Sequence, residues 1–226
     1  MITLADINRL YRAEEVETTA LRNIELQVDQ GEFVAVMGPS GSGKSTLLNI
    51  LGLIDRPTSG RHFFVGQEVS ELAEAERARL RRNHLGFIFQ SFNLIDELTI
   101  AENIELGLLY RDESNKNRRA KVLEAMDRVG VGHRANHYPH QLSGGQQQRA
   151  AIARAIVGKP SVLLADEPTG NLDTANGAQV MDILKSLNSE GATIVMVTHS
   201  PSHADQAKRV VNMLDGRIVT SALRAA

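Results

Sequence analysis

The sequence predicts an α/β fold: a mostly parallel sheet flanked by helices, an antiparallel β subdomain near the N-terminus, and an inserted helical subdomain. Strongly apolar runs, Phe33-Val34-Ala35-Val36, Val162-Leu163-Leu164-Ala165 and Thr193 to Val197, alternate with helix-periodic stretches, the pattern of parallel strands buried on both faces. A glycine-rich loop, Gly38 to Thr46, joins the first of these runs to an apolar-periodic segment, Leu47 to Leu51. From about residue 92 to residue 158, helical patterns follow one another with no strand between them.

Taken in order, Ile2 to Ala5 and Ile24 to Val28 alternate as strands do, with a polar loop from Arg12 to Thr19 between them and a tight turn at Gln30-Gly31-Glu32. After the first helix, Arg56 to Gly60 reads as a turn and Phe63 to Gln67 as a short strand of an antiparallel sheet. Ser70 to Arg82 predicts a helix. Its Arg77, Arg79, Arg81 and Arg82 are interleaved with Glu74 and Glu76, a solvated face and not a nucleic-acid patch. Leu85 to Phe89 predicts a buried strand ending at Gln90. Thr99 and Glu102 have capping-box spacing ahead of a helix reaching about Tyr110. A polar turn, Asp112 to Arg119, leads to a helix with Val122, Leu123, Met126 and Val129 on one face and Gly130 at its end. One helix follows Ser143 as far as about Val157, another carries Val180, Ile183, Leu184 and Leu187, and Asp215-Gly216 turns a closing two-strand ribbon.

Composition narrows the function. The 226 residues suit one core domain, residues 1–226, with an insertion at about 92–158. A net charge of −2 gives no bulk attraction to nucleic acid, and the lack of cysteine removes disulfides and thiolate chemistry together. No uncharged stretch approaches the roughly 20 apolar residues that span a bilayer, and no basic-then-apolar signal opens the chain. The expectation is a cytoplasmic protein whose membrane role comes through a partner.

Chemistry gathers at strand ends. In Gly38-Pro39-Ser40-Gly41-Ser42-Gly43-Lys44-Ser45-Thr46 the glycines let successive N–H groups point inward, the helix start adds partial positive charge, and Lys44 adds a full one. This is a phosphate cradle, with the Ser45 hydroxyl placed for a magnesium ion bridging two phosphates. Asp166 and Glu167 end the strand Val162 to Ala165, where an open parallel sheet presents ligands: Asp166 to hold magnesium through its water shell, Glu167 to take a proton from attacking water. His199 ends another strand on the same edge and can reach a terminal phosphate, and the Gln90 amide can bind magnesium, orient water or simply bond backbone. Leu142-Ser143-Gly144-Gly145-Gln146 opens a helix with an anion-binding start. Ser143 and Gln146 have capping-box spacing, but two glycines in a first turn each cost about 1 kcal/mol relative to alanine unless backbone must be approached closely.

In this order, the phosphate loop, Gln90, Leu142 to Gln146, Asp166-Glu167, Asn171-Leu172-Asp173 and His199 closely resemble the nucleotide-binding subunit of ATP-binding cassette (ABC) transporters, over nearly the whole chain. The resemblance implies a P-loop ATPase core whose two copies close head-to-tail as a homodimer. Each ATP would then lie between the phosphate loop of one copy and the Ser143-Gly144-Gly145 helix start of the other. It implies that Tyr11 stacks on adenine, Lys44 and Thr46 grip phosphates, and Ser45 and Gln90 coordinate Mg2+. It further implies that Glu167 is the general base, His199 senses the terminal phosphate, and Asp173 meets the opposite subunit. Phe89 to Leu94, Glu102-Asn103 and Pro168 to Asp173 resemble the branch of macrolide exporters and lipoprotein-releasing complexes. That branch implies an integral membrane permease with few spans and a large extracytoplasmic domain, a periplasmic adaptor, and a place on the inner face of the plasma membrane. Ser200, Ile95-Asp96 and Ala150 depart from the branch's usual residues without touching the phosphate chemistry. The rival readings are a soluble ABC ATPase of translation or repair, and an ATP-gated scaffold in cell-division signalling. The former usually needs tandem cassettes or long coiled-coil insertions, for which there is no room, and intact Glu167 and His199 argue against the latter.

Overall fold

The computed structural model describes residues 1–13, 16–109 and 114–223. In chain order the elements are β1 (Ile2–Ala13), β2 (Val16–Val28), β3 (Phe33–Met37), α1 (Lys44–Leu51), β4 (Ser59–Phe64), β5 (Gln67–Glu68), α2 (Glu74–His84), β6 (Leu85–Ile88), α3 (Ile100–Glu105), α4 (Asn115–Arg128), α5 (Gly144–Ile156), β7 (Val162–Asp166), α6 (Thr174–Ser189), β8 (Thr193–Val197), α7 (Pro201–Ala204), β9 (Arg209–Leu214) and β10 (Arg217–Leu223). Two compact units emerge, one from residues 1–81 with the stretch from Thr193 onward, the other from Arg82–Ala192.

The first unit holds an antiparallel sheet in the order β2-β1-β4-β5, and a second set in which β3 lies parallel to both β8 and β9 while β10 returns antiparallel on β9. Parallel strands covered on both faces must be apolar throughout, and every residue of β8 is buried, as are Phe33 to Val36 of β3. Leu47, Leu48, Ile50 and Leu51 of α1 are buried too, which anchors the helix behind the loop it terminates.

The second unit pairs β6 parallel to β7 and is otherwise helical. The described elements between Ile100 and Ile156 are α-helices and single 3-10 turns. α3 begins with a complete capping box, Thr99 accepting from the Glu102 N–H and Glu102 from the Thr99 N–H. Buried Asn103 sews the loop before it, donating to the carbonyls of Ile95, Leu98 and Thr99 and accepting from the Ile95 N–H at 2.7 Å.

Several local expectations are corrected. β1 and β2 run through most of the stretch expected as a loop between Arg12 and Thr19, because cross-strand pairs hold it: Tyr11 faces Thr18, and Arg12 faces Glu17 with an ion pair at 2.7 Å. Glu14 and Glu15 of that stretch lie outside the described residues. Phe63 to Gln67 is not one strand, because Val65 and Gly66 have φ of 50° and 78° and turn β4 into β5. Strand β4 begins at Ser59, inside the expected turn, while α2 starts at Glu74 and not at Ser70, whose hydroxyl instead accepts from the His62 N–H. Asn115 to Arg119 are already helical in α4, and Leu123 is exposed, the buried face being Val122, Ala125 and Met126. The expected helix end at Tyr110 and the start of the turn at Asp112 lie outside the described residues.

Candidate functional site

In the first unit, β3 ends at Met37 and α1 starts at Lys44, so the intervening loop sits at a strand's carboxyl end and a helix's amino end. Gly43, the residue at the helix cap, has φ 96°, and a Cβ there would come within 2.5 Å of the Ala20 carbonyl oxygen. No side chain caps α1, and its first turn carries no acid. Backbone bonds hold the loop, the Ser42 N–H donating to the Pro39 carbonyl at 3.2 Å within it and the Gly216 N–H of the β9–β10 turn to the Ser42 carbonyl at 3.1 Å. Lys44 is 6% exposed, with Nζ donating to the Gly38 and Pro39 carbonyls at 2.9 and 2.8 Å, so its charge is fixed at the loop. Gly41 and Ser45 are exposed and Thr46 half-buried.

His199 is exposed just beyond β8. The Thr198 N–H donates to the Val36 carbonyl at 3.1 Å, tying the ends of β8 and β3, and the Ser200 hydroxyl caps α7 by accepting from the His203 N–H. The Ser200 departure thus has a local role. Tyr11, also in this unit, is 38% exposed.

The second unit carries Gln90, Asp166, Glu167, Asp173 and the Ser143 helix start. Asp166 is the last residue of β7, and Glu167 follows in a left-handed conformation, φ 47°. For a non-glycine residue that costs on the order of 1–3 kcal/mol and persists where surroundings over-determine it. The Glu167 carbonyl accepts from the Gly170 N–H at 3.0 Å, closing the turn. Gln90 and Asn171 exchange two bonds: Gln90 Nε2 donates to Asn171 Oδ1 at 3.2 Å, and Asn171 Nδ2 to the Gln90 carbonyl at 3.1 Å. Sequence reading missed Gln148, which is buried and donates through Nε2 to the Pro168 carbonyl at 2.7 Å and the Phe89 carbonyl at 3.4 Å. It therefore fixes the neighbours of both Gln90 and Glu167. Its place in the glutamine run Gln146-Gln147-Gln148 was the only available signal.

At α5, Ser143 Oγ accepts from the Gln146 N–H and Gln146 Oε1 from the Ser143 N–H, a complete capping box. Ser143 is exposed, and Gly145 is buried where a Cβ would collide with the Asn176 side chain of α6. Asn176 in turn donates its N–H to Asp173 Oδ1 at 2.8 Å and its Nδ2 to Asp173 Oδ2 at 2.7 Å, so that Asp173 caps α6. Those donors hold the Asp173 carboxyl below the usual carboxylate range. Gly145 is needed, then, for close packing of two helix starts.

Among the described residues no three His, Cys, Asp or Glu side chains gather as metal ligands. The oxygen donors available are the exposed Ser45 hydroxyl in the first unit and the Gln90 amide and Asp166 carboxylate in the second, each of the hard-ligand type that suits Mg2+. Also among the described residues, no helix is long and apolar enough to cross a membrane.

Comparison with known proteins gives one answer. The ABC transporter family matches residues 21–170. The ABC transporter ATP-binding protein MJ1508 of Methanocaldococcus jannaschii is 52% identical over 221 residues, 97% of this chain and 98% of that protein. The macrolide export ATP-binding/permease protein MacB 1/2 of Paracoccus denitrificans is 51% identical over 97% of this chain, which spans 33% of that longer protein. Among solved structures, a dimeric post-hydrolysis state of the ATP-binding cassette MJ0796 bound to ADP and Pi superposes with a TM-score of 0.92 at 43% identity, covering 100% of both chains.

Proposed function

This chain belongs to the ABC transporter family, and from that premise we propose that it is the ATP-binding and ATP-hydrolysing subunit that powers a transport or mechanotransmission complex in the membrane. The observation that carries the reading is the loop before α1: a helix start with no side-chain cap and no acid, beside a lysine whose ammonium is pinned to the loop carbonyls. It is a site built for phosphate.

Triphosphate hydrolysis asks for positioning and charge neutralisation more than covalent chemistry. Lys44 neutralises the outer phosphates, and the loop N–H groups from Gly38, Ser40, Gly41 and Gly43 with Thr46 hold them, the bond between Ser42 and Pro39 shaping the turn. Mg2+ would be held by Ser45, Gln90 and, through water, Asp166, and when bound it offsets the charge developing on the leaving diphosphate. Glu167 takes the proton of the attacking water, and its strained backbone supports a functional role, since such strain clusters at active sites. His199 hydrogen-bonds the terminal phosphate, and Tyr11 stacks on the adenine. The second phosphate contact comes from another copy of the chain, through Ser143, Gly144, Gly145 and Gln146, with Asp173 at the same junction. The dimeric MJ0796 cassette supports that arrangement.

The permease is a separate or fused membrane protein, as the fused MacB relative suggests, and the chain sits on the cytoplasmic face with it. In the second unit a groove of ≈ 410 Å³ lined by Leu85, Phe87, Phe89, Leu106 and Arg154 offers a concave surface for a cytoplasmic segment of such a partner. A periplasmic adaptor and a large extracytoplasmic permease domain complete the proposed assembly. Replacing Glu167 by Gln tests the core of the reading. ATP turnover should fall by about 100-fold or more, while ATP-dependent dimers accumulate in size-exclusion chromatography. Unchanged turnover would remove Glu167 as the base.

A further inference from the structure

Tyr11 is held more firmly than a surface tyrosine needs to be. Its ring is 38% exposed, yet its hydroxyl donates to Asp55 Oδ2 at 2.7 Å, and the Arg9 guanidinium lies 4.3 Å from its ring centroid. Arg9 and Tyr11 are two residues apart on β1 and so share one face of the strand. Arg9 is itself fixed by the same carboxylate, with Nε on Oδ2 at 3.0 Å and Nη2 on Oδ1 at 2.9 Å, the parallel fork that aligns both planes. The Arg56 N–H completes the set on Oδ1 at 2.8 Å.

The Asp55 backbone is anchored independently of that carboxylate. Its N–H donates to the Asn49 carbonyl at 3.1 Å, and its carbonyl accepts from Arg77 at 2.7 Å. Arg77 is buried and also holds the Leu53 carbonyl at 2.7 Å. One carboxylate, set by the turn after α1, therefore fixes both the cation against one face of the ring and the hydroxyl at its end. A stacking partner would take the opposite face. Ordering an exposed ring in this way does little for the core, but it removes the rotamer entropy that a ligand would otherwise have to overcome on stacking.

We propose that Asp55, with Arg9, is a positioning residue that presets the Tyr11 ring as the platform for the purine of the nucleotide. This rests on the ATP-binding reading above. Asp55 touches no ligand atom; it acts through Tyr11, so its loss is felt by the base and not by the phosphates.

The test compares ATP with inorganic tripolyphosphate, which has phosphates but no base, binding to the 226-residue chain by calorimetry. Asp55→Ala, which keeps the anchoring backbone bonds, should weaken ATP by about 3- to 10-fold, part of what a full base–aromatic stack contributes, and leave tripolyphosphate unchanged. Tyr11→Ala should weaken ATP by about 10-fold or more with the same indifference to tripolyphosphate. Tyr11→Phe, which keeps the ring and removes only the bond to Asp55, should reproduce part of the Asp55→Ala loss even where Asp55→Ala folds poorly. If Tyr11→Ala weakens ATP but neither Asp55→Ala nor Tyr11→Phe does, the positioning role is wrong and the stacking reading stands. If Tyr11→Ala leaves ATP untouched, stacking itself fails and positioning with it. Equal losses for ATP and tripolyphosphate in Asp55→Ala also overturn the proposal, because the damage is then to the phosphate site.

Discussion

Two helix starts in this molecule look alike in sequence and differ in construction. α1 begins after glycine and serine with no side chain over its first N–H groups, and it carries its own cation, Lys44, fixed at the mouth of the loop. α5 also begins among glycines, but Ser143 and Gln146 close a capping box over it, and its first turn brings no charge of its own. The first has no side-chain cap, as the proposed phosphate site requires. The second is satisfied as it stands, its glycines serving close packing against Asn176 and leaving Ser143 at the surface. Similar residue types thus give an uncapped helix start with a cation beside it in one place and a capped, surface-facing one in the other, a division that fits the proposed binding of each phosphate chain between two copies.

The comparison breaks most visibly at Lys44. Lys44→Ala should weaken ATP binding to the isolated chain by about 100-fold, the loss of charge-assisted bonds from a buried ammonium, measured by calorimetry. Retained affinity would mean that the α1 start does not hold phosphate by charge.

Acid should separate the two units next. His62 of β4 is the only buried histidine among the described residues, its Nε2 has no hydrogen-bond partner, and burial, with the nearby Arg77 charge, lowers its pKa from 6.5 to about 4. Because the folded value lies below the unfolded one, the unfolded chain binds the extra proton. Stability is then complete above about pH 6.5 and is lost as pH falls from 6.5 toward 4, by about 2 kcal/mol between pH 7 and 5. Urea unfolding at the two pH values measures this, and hydrogen exchange should loosen β4, in the unit with α1, before α5. A His62→Leu variant should flatten the slope; an unchanged slope would assign the acid sensitivity elsewhere.

The smallest effect belongs to Ser143→Ala. Removing the cap should cost about 1 kcal/mol of stability, leave ATP binding to the isolated chain unchanged, and lower turnover only where dimers form. A loss of monomer affinity would erase the distinction drawn between the two helix starts.

What was legible in the sequence was local. The glycine loop between β3 and α1, the Thr99 and Ser143 capping boxes and the Asp215-Gly216 turn each depend on residues a few positions apart, and each lies where their spacing places it. The long β1–β2 hairpin was hidden because Arg12 to Thr19 is polar, and only the pairing of Tyr11 with Thr18 and Arg12 with Glu17 makes it strand. Leu123 was placed on the wrong face because four apolar residues in a helix fit two stripes, and Ala125 carries too weak a signal to choose between them. At the candidate site, the residue types at strand ends were readable, whereas Gln148 and Asp55 act on partners distant in sequence and look like ordinary polar residues until the chain is folded.

The reciprocal amide pair of Gln90 and Asn171 has a thermodynamic consequence of its own. Both groups are neutral, so the clasp neither tightens in dilute buffer nor slackens in brine, and no proton can unlock it. Each bond trades almost evenly with solvent, at about 1 kcal/mol. A ligand worth several times that can therefore undo the clasp and let it re-form after each cycle, which an ion pair sealed away from water would resist.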